Sequence, residues 1–427
     1  MKILLINHYA GSPAHGMEFR PYYFAREWVR MGHEVSIAAA SRSHVRGSNP
    51  EVRRALRIET IDGIRYCWFR TPDYEGNGVG RGLNLLAFLL QLMLHLRFLA
   101  GLARDGAVIA SSTYPFDVLP ARSIAKLARA SLTYEVHDLW PLSPVEVGGM
   151  SPSHPFVLAS RWAEEFAYRN ADYVISMLPL AESYMCSRGL AAGKFSHVPN
   201  GIYIAEEDKA STLPELHDNA LAQLKSRNHF LIGYAGSHGK ANSLDTVLHA
   251  ASRLRERPIT FVFVGEGPEK TNLKELSRTL ELDNVLFLPW LPRACVPEFL
   301  RRMDCLAIAW RRTWIYRLGV SPNKLMDYML AGRPIIQAID ASNDMVLESA
   351  SGITVPAEDP DALAKAILQM VIQSPTRAQE MGRNGRRYVE ERHDIKKLAR
   401  QFIGVIGSGI SEEFTPAARE LTKIHPA

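Results

Sequence analysis

Residues 230–240 read FLIGYAGSHGK, an apolar run that ends in a glycine-rich turn. The run Phe230–Ala235 has the length and composition of a buried strand, and Gly236 and Gly239 belong to the turn after it. A similar order opens the chain, where Lys2–Tyr9 leads into a loop that also contains glycines. The repeated beginning of strand and loop indicates two α/β halves.

Outward from both starts, short apolar runs alternate with longer amphipathic stretches, which is typical of βαβ units and parallel sheets. In the first half the later predicted strands are Glu34–Ala40, Ala107–Ser112, Leu132–His137 and Asp172–Met177. In the second half they are Ile259–Val264, Val285–Trp290, Cys305–Trp310 and Pro334–Ile339. We therefore predict an α/β protein of two facing Rossmann-like domains with a cleft between them.

We place the domain boundary just after Val198–Gly201, which reads VPNG and precedes a polar stretch. The N-terminal domain then covers residues 1–200 and the second domain residues 201–394. The stretch Ile202–Asn228 is predicted to be a linker with one short helix. The tail has a helical pattern, and we expect a C-terminal helix, about 395–427, to cross back and pack on the first domain.

Composition limits the class of protein. The chain has 427 residues, 47% hydrophobic and 22% charged, which indicates a globular protein too long for one core. The net charge of +5 is compatible with an anionic substrate or membrane but too weak to indicate nucleic acid. Four scattered cysteines indicate reduced thiols in the cytosol, and the first residues resemble a strand rather than an export signal.

The leucine-rich stretch Leu83–Ala100 could contact a membrane. Asn84, Gln91 and Arg97 interrupt it, and such interruptions argue against a membrane-spanning helix. Two interpretations remain open: a packed domain helix, or an amphipathic face that docks on a membrane.

The most informative stretch is Arg317–Pro334, RLGVSPNKLMDYMLAGRP. Ser321 suits the N-cap of a helix and Pro322 its first position. Lys324 then lies in the first turn, where a cation opposes the helix dipole unless an anion binds there. Asp327, one turn later, could accept hydrogen bonds from a sugar diol. A plain capped helix with a lysine there by chance stays open as the alternative.

Three glycine-containing turns follow predicted strands, at Gly16, at Gly236 and at Gly265. Such turns let backbone N–H groups approach phosphate, but none has the spacing of a dinucleotide fingerprint or a P-loop. A purely structural turn remains open for each.

The ends of two first-half strands carry polar candidates. His137 and Asp138 follow the strand Leu132–Val136, where open α/β sheets bind ligands. Glu18 and Arg20, just after Gly16, are expected at the same edge. For these residues a solvated or structural role is the alternative.

Together these features resemble the family 4 glycosyltransferases, which are retaining enzymes of the GT-B fold. The resemblance covers nearly the whole chain and rests on Gly32–Val35, His137, Val198–Gly201, Val264–Pro268 and Asp327–Pro334. It is specific only in combination. It implies that the N-terminal domain takes an acceptor and the C-terminal domain takes a nucleotide sugar.

Residue by residue, the resemblance implies that Gly16 approaches the donor diphosphate and that His137 contacts the donor sugar near its reacting carbon. Lys240 matches the phosphate-binding lysine, and Asp327 matches the second glutamate of the Glu-x7-Glu motif, which holds the ribose. The chain departs from the pattern at the first glutamate, where it has Gly319, and it lacks the arginine before the lysine. Backbone N–H groups, Ser321, Asn323 or Lys324 are the expected replacements for that glutamate.

The predicted site follows from these arguments. The predicted catalytic residues are His137, Lys240 and Lys324. The predicted donor-binding residues are Gly16, Gly236, Lys240, Gly265, Trp290, Leu291, Gly319, Val320, Ser321, Asn323, Lys324 and Asp327. The predicted acceptor-binding residues are Glu18, Arg20 and Asp138.

The order GVSPNK followed by DYM is most similar to bacterial fucosamine or hexosamine transferases of surface polysaccharide (O-antigen or capsule) clusters. That resemblance implies a UDP-linked N-acetylated hexosamine or deoxyhexosamine donor and a lipid-diphosphate-linked saccharide acceptor. It implies a peripheral enzyme on the cytoplasmic face of the inner membrane. We expect no metal, no other cofactor and no nucleic-acid partner. The choice of uracil rather than guanine as the base of the donor rests on this resemblance alone.

Other functions remain open at this stage. A GT-B-fold UDP-sugar epimerase would need acids in the cleft to move protons. A non-catalytic sugar-nucleotide or membrane scaffold is favoured by the missing acid at Gly319. A dehydrogenase fits less well, because neither glycine loop has the dinucleotide spacing.

Overall fold

The computed structural model describes residues 1–16, 19–76, 78–204 and 211–407. The first half forms an eight-stranded sheet in the order β3-β4-β2-β1-β5-β6-β7-β8, parallel except for β3. Its strands are β1 (Lys2–Ile6), β2 (Glu34–Ala40), β3 (Leu56–Ile61), β4 (Ile64–Phe69), β5 (Ala107–Ala110), β6 (Ser131–Val136), β7 (Tyr173–Ser176) and β8 (Phe195–His197).

The second half forms a six-stranded parallel sheet in the order β11-β10-β9-β12-β13-β14. Its strands are β9 (Phe230–Ala235), β10 (Ile259–Val264), β11 (Val285–Leu288), β12 (Cys305–Ala309), β13 (Ile335–Ala338) and β14 (Gly352–Val355). The expectation of two Rossmann-like domains is therefore confirmed.

Helices cover both faces of each sheet. In the first half they are α1 (Arg20–Arg30), α2 (Val79–Leu94), α3 (Leu96–Leu102), α4 (Val118–Ala128), α5 (Leu142–Glu146), α6 (Pro155–Asn170) and α7 (Glu182–Ser187). In the second half they are α8 (Glu215–Ser226), α9 (Leu244–Ser252), α10 (Lys270–Thr279), α11 (Val296–Arg302), α12 (Asn323–Leu330), α13 (Met345–Glu348), α14 (Pro360–Val371), α15 (Pro375–Arg392) and α16 (Ile395–Gly407). Short 3₁₀ helices lie at Pro115–Asp117, Lys240–Asn242, Arg293–Cys295 and Trp314–Leu318.

The central strands are apolar throughout because both of their faces are buried. In β10, Phe261 and Phe263 pack into the core on one side of the sheet, and Val262 and Val264 pack on the other. This layering explains why the strand appears in the sequence as a continuous apolar run rather than an alternating one.

The chain crosses back to the first domain through its last described helix. On α16, Phe402 packs against Phe24 and Trp28 of α1, and the Trp28 indole donates a hydrogen bond to the carbonyl of Ala399 at 3.1 Å. The predicted crossing helix is thus present over 395–407, and its predicted extension to 427 lies outside the described residues.

The linker Ile202–Asn228 was predicted to contain one short helix, and its described part contains α8, a three-turn helix that buries His217 and Leu221. The leucine-rich stretch is two helices, α2 and α3, which meet at a 74° bend next to His95. No single described helix is long and apolar enough to cross a membrane; this bent pair meets the length and composition criteria only when taken together.

Candidate active site

A cavity of about 950 Å³ lies between the two domains. The first domain lines it with residues that follow β1 and β6, with the start of α2, and with α5 and the loop after it. The second domain contributes Trp310 after β12 and the segment 315–322. Five predicted site residues line this interdomain cavity: His137, Asp138, Gly319, Val320 and Ser321.

His137 follows β6 directly, and its side chain is largely buried at the cavity wall. Its Nε2 lies 2.9 Å from Ser111 Oγ and 3.2 Å from Glu135 Oε2, while the Ser111 hydroxyl donates to the same carboxylate oxygen at 2.6 Å. Burial alone raises the pKa of Glu135, but Arg20, His137 and Ser111 outweigh it and hold that pKa at about 2. Because the carboxylate is ionised, it favours the tautomer of His137 with its proton on Nε2.

Asp138 lies at the turn into α5. Its carboxylate accepts hydrogen bonds from the backbone N–H of Leu139 at 3.0 Å and from the Ser143 hydroxyl. Burial raises its pKa above the usual range. The residue borders the cavity, so the acceptor role predicted for it stays a prediction.

Arg20, predicted to bind the acceptor, is instead built into the domain junction. Its Nε donates to Glu135 at 2.9 Å, and its two terminal nitrogens donate to the carbonyls of Pro199 and Val198 at 2.7 and 2.9 Å. With only 6% of its surface exposed, Arg20 has a structural partner for every guanidinium nitrogen. This geometry speaks against direct acceptor binding. Glu18, predicted with it, lies outside the described residues.

Gly16 and Leu291 do not line the interdomain cavity. Gly16 has a φ of +83°, and a Cβ there would lie 2.9 Å from the backbone nitrogen of Gly47, so packing of this loop already requires glycine. Leu291 is buried in the core of the second domain. Its neighbour Trp290 is 62% exposed and remains available to a nucleotide base.

The predicted N-cap of α12 is wrong, because the helix begins at Asn323 with Pro322 in the cap position. Ser321 is used elsewhere: its Oγ accepts a hydrogen bond from the backbone N–H of Asn200 at 2.8 Å. Two of the backbone N–H groups expected to face the donor are also occupied. That of Gly319 donates to the Tyr316 carbonyl at 3.0 Å. That of Val320 donates to Asn343 Oδ1 at 2.7 Å.

Gly319 lies where the second domain meets the first. Its φ is +94°, and a Cβ would lie 2.5 Å from Cδ and 2.7 Å from Cγ of Pro179. Next to it, the N–H of Leu180 donates to the Leu318 carbonyl at 3.1 Å. Any side chain at position 319 would therefore collide with the N-terminal domain, which gives a physical reason for the missing glutamate.

Lys324 is largely buried in the first turn of α12. Its Nζ donates to the Tyr234 hydroxyl at 2.8 Å and to Asn242 Oδ1, and it lies 4.5 Å from the centre of the Tyr234 ring and 5.7 Å from that of Trp310. Among the described residues no carboxylate forms an ion pair with it. Burial lowers its pKa to about 7. The site thus holds a buried lysine that has no carboxylate partner in the part of the chain that the structure describes.

The glycines near Lys324 have a packing role. A Cβ on Gly236 would lie 2.8 Å from Lys324 Cε, and a Cβ on Gly265 would lie 1.9 Å from the Gly236 carbonyl oxygen. These two glycines let their loops close around the lysine. Lys240 is exposed at the start of the 3₁₀ helix that ends at Asn242, so its loop, too, reaches Lys324.

Asp327 is held by a partner that sequence reasoning missed. Arg293 donates to both carboxylate oxygens, each at 2.6 Å, and Asp327 is the more buried of the two. This ion pair connects α12 to the loop that carries Trp290. Asn323 is exposed at the N-terminus of the same helix. The nucleoside-binding roles of Trp290 and Asp327 stay predictions.

Sequence reasoning also missed Glu135, Arg81 and Asn200. Glu135 had a local signal, because it is the one charged residue in the buried strand β6. Arg81, in the first turn of α2, donates to the Tyr9 hydroxyl at 3.0 Å and lines the cavity. Asn200 joins the domains, and the motif that contains it, Val198–Gly201, was used only for the domain boundary and the family resemblance. No group of three or more potential metal ligands was found among the described residues.

Comparisons with known proteins agree with this architecture. A family model described as "Glycosyl transferase 4-like domain" matches residues 15–201, and one described as "Glycosyl transferases group 1" matches residues 229–373. The relative WcaI of Escherichia coli strain K12, provisionally named a colanic acid biosynthesis glycosyl transferase, is 24% identical over 399 residues. The match covers 89% of this chain and 93% of WcaI.

Two solved structures have the same fold. HepE of Anabaena, in complex with UDP and glucose, has a TM-score of 0.67 at 16% identity, with 96% of this chain and all of that chain covered. Sucrose-phosphate synthase of Thermosynechococcus elongatus has a TM-score of 0.71 at 17% identity, with 95% and 98% covered. At such identities the likeness shows the fold, and it confirms the predicted GT-B architecture.

Proposed function

Because this chain is a glycosyltransferase of the GT-B type, we propose that it transfers a sugar from a UDP-sugar to a lipid-diphosphate-linked saccharide during surface polysaccharide synthesis. The proposed sugar is an N-acetylated hexosamine or deoxyhexosamine. The observation that carries the proposal is the interdomain cavity, which has His137 on one side and the segment Gly319–Ser321, just before Lys324, on the other.

The second domain supplies the chemistry of a donor site. A diphosphate beside Lys324 and the N-terminus of α12 would give the buried lysine the anion it lacks. The exposed Lys240, on the neighbouring loop, adds a second cation. Trp290 and Asp327 provide a surface for the base and acceptors for the ribose diol. HepE has been solved with UDP-glucose, which makes UDP the first nucleotide to test.

We propose retention of configuration. Among the described residues that line the cavity, Asp138 is the one carboxylate, and it already accepts two hydrogen bonds. A double displacement needs a free carboxylate nucleophile. In the proposed step the acceptor hydroxyl attacks the anomeric carbon from the face of the leaving group. The bond to the UDP oxygen breaks, and the departing phosphate takes the acceptor proton. Lys324 stabilises the charge on that phosphate, and no metal is required.

The first domain fits an acceptor that is partly apolar and partly anionic. Val79, Leu85, Val147 and Phe156 line the cavity, and Arg81 provides a cation among them. A saccharide on a lipid diphosphate has both properties.

Val79 lines the cavity and begins an exposed apolar stripe along α2. The stripe consists of residues three or four positions apart, which share one helical face: Val79, Leu83, Leu86, Leu90 and Leu94. Exposed arginines, including Arg97 on α3 and Arg104, lie beyond its end. An apolar face with basic neighbours is typical of helices that lie on an anionic membrane surface. We propose peripheral contact at the cytoplasmic face of the inner membrane.

The double substitution Leu86→Glu and Leu90→Glu is expected to weaken binding to phosphatidylglycerol-containing vesicles at least about tenfold, because half-exposed leucines lose their favourable burial in lipid. Flotation with vesicles measures the effect. Leu216→Glu on α8 of the other domain, at a similarly exposed leucine, is the control and should bind as wild type. Equal binding by the double variant and the control would contradict membrane docking through α2.

The donor is tested by thermal unfolding with UDP, GDP, ADP or NAD, each with and without EDTA. A ligand at 100 times its dissociation constant adds about 2.7 kcal/mol of stability, which shifts the midpoint by several degrees. We expect a shift with UDP that EDTA does not change. A shift with NAD, or with none of the nucleotides, would contradict the proposed donor site. Turnover of UDP-sugar that requires a lipid-linked acceptor then separates the transferase from an epimerase, which needs no acceptor, and from a scaffold, which turns nothing over.

A further inference from the structure

Asn200 connects the two domains through hydrogen bonds rather than through apolar contact. Its backbone N–H donates to Ser321 Oγ at 2.8 Å, and its side-chain amide donates to the Ser321 carbonyl at 2.6 Å. The carbonyl of Asn200 is 2.8 Å from Nδ1 of His393, just before α16. One residue at the domain boundary thus contacts both the segment before α12 and the start of the crossing helix.

The same residue reaches the first domain through Arg20. Arg20 Nη1 donates to Asn200 Oδ1 at 3.2 Å, and Nε donates to Glu135 at 2.9 Å. Glu135 in turn contacts His137 Nε2 at 3.2 Å. The result is a continuous chain of contacts that runs from His137 through Glu135, Arg20 and Asn200 to Ser321. We call these five residues the junction network.

Both ends of the junction network line the interdomain cavity, and its three middle residues are at least 92% buried. His137 borders the cavity from the first domain, and Ser321 borders it from the second. Beside the packing of Gly319 against Pro179, a continuous run of polar contacts therefore connects the two faces of the reaction site, and hydrogen bonds restrict distance and direction.

We infer that Glu135, Arg20 and Asn200 are positioning residues that hold His137 in register with the donor segment Gly319–Ser321. The inference rests on the proposed function, because that function gives His137 and Ser321, the two ends of the junction network, a part in the same reaction. Stability alone gives a weak reason for such a network, since well-packed apolar residues in place of a buried ion pair are often as stable or more stable. Alignment of two domains around a reacting centre is a stronger reason, because small misplacement lowers the rate steeply.

Arg20→Met removes the charge and the four hydrogen bonds while it keeps most of the side-chain volume. We expect kcat to fall at least about tenfold, while KM for the UDP-sugar stays within about threefold, because Lys324, Trp290 and Asp327, the residues proposed to hold the nucleotide, all lie in the second domain. Amide hydrogen exchange in the segment 316–325 should become faster, since Asn200, which donates two hydrogen bonds to Ser321, loses its own hydrogen bond from Arg20. Arg30→Met, at an exposed arginine of the same helix that pairs with Glu27, is the matched control and should change neither.

A second pair of variants guards against simple loss of folding. Glu135→Gln and Asn200→Ala lie on opposite sides of Arg20, and no direct hydrogen bond joins them. If the network acts as a unit, their effects on kcat are non-additive, so that the double variant loses less than the product of the single losses. Additive effects, or an Arg20→Met enzyme with wild-type kcat and exchange, would overturn the inference.

The UDP-induced thermal shift, measured on the same samples, separates the two levels of the argument. A wild-type protein that shows no shift with UDP counts against the proposed function. A shift present in the wild type and in every variant, together with unchanged kcat in the variants, counts against the positioning role alone.

Discussion

Replacement of Lys324 by methionine is expected to lower the rate of sugar transfer about 10²–10³-fold, the usual effect of removing one preorganised group that stabilises developing charge. The lysine lies in the first turn of α12 with no carboxylate paired to it among the described residues, and its ammonium group is directed to the Tyr234 hydroxyl and Asn242. A departing diphosphate at this helix terminus would be its natural counter-charge.

The same substitution is expected to raise the unfolding temperature of the free protein, most clearly below pH 7. Burial lowers the pKa of Lys324 to about 7, whereas in the unfolded chain a lysine titrates near 10.4. Between these values the unfolded state binds more protons, so this group adds stability as the pH rises and opposes folding most below pH 7. Methionine removes the cost of burying the charge, so stability and activity should change in opposite directions.

Above pH 7, where the terminal phosphate of UDP is largely ionised, binding of UDP should then depend on pH more steeply in the wild type than in the variant. The diphosphate favours the charged lysine, so binding takes up a proton above about pH 7, and affinity weakens as the pH rises from there. Calorimetry in buffers of different ionisation enthalpy detects that proton. The control is Lys225→Met. Lys225 lies on α8 and pairs with Asp304, and this variant should transfer sugar as wild type does. A Lys324→Met protein with wild-type turnover and pH-dependent UDP binding would exclude this assignment.

The fold could be predicted where periodicity and burial agree. The strands Glu34–Ala40, Phe230–Ala235 and Ile259–Val264 were predicted to the residue. Other predicted strands ran too far at their carboxyl ends, as at Lys2–Tyr9, where β1 ends at Ile6. After Ile6 the chain leaves the sheet and forms part of the cavity wall, which Tyr9 lines. Buried residues continue past the end of the strand, so the sequence pattern does not mark that end.

The hairpin of β3 and β4 was missed although its turn has a sequence signal. Asp62 and Gly63 both adopt positive φ values, 49° and 80°, as a two-residue hairpin turn requires. The strands themselves gave a weak pattern, because β3 lies at the edge of the sheet and is largely exposed. An Asp-Gly pair between two short candidate strands would have been enough to predict it.

The candidate site divides in the same way. Lys324 could be found from local chemistry, because a lysine in the first turn of a capped helix needs an explanation. Arg20 could not, because its partners lie 115 and about 180 residues away and only the folded chain brings them together. Its position near the glycine-containing loop at Gly16 suggested that Arg20 contacts a ligand. In the structure Arg20 is buried at the domain junction and makes structural contacts.

Gly319→Ala is expected to lower turnover by about 10²-fold, because the added Cβ would lie 2.5 Å from Pro179 Cδ and force the donor segment away from the first domain. The φ of +94° adds strain of about 1–3 kcal/mol for any residue with a Cβ. Gly32→Ala separates these two causes. Gly32 has a φ of +86°, but its Cβ would meet nothing within 4 Å, so that variant should lose stability and keep its turnover.

Gly319→Glu tests the departure from the family pattern directly. It restores the acid that the resemblance places at this position, yet the structure predicts a loss at least as large as that of Gly319→Ala, because the longer side chain must also avoid Pro179. The measurement is UDP release from UDP-sugar with acceptor present, for all three variants beside the wild type.

Activity at or above wild type in Gly319→Glu would mean that the Pro179 contact opens during the reaction. The donor segment would then work in an arrangement in which an acid has room, and the contact of Gly319 with Pro179 would belong to a resting state. If both substitutions at 319 fail while Gly32→Ala works, the closed contact belongs to the reacting arrangement. The chain has then exchanged a carboxylate at this position for close contact between its two domains.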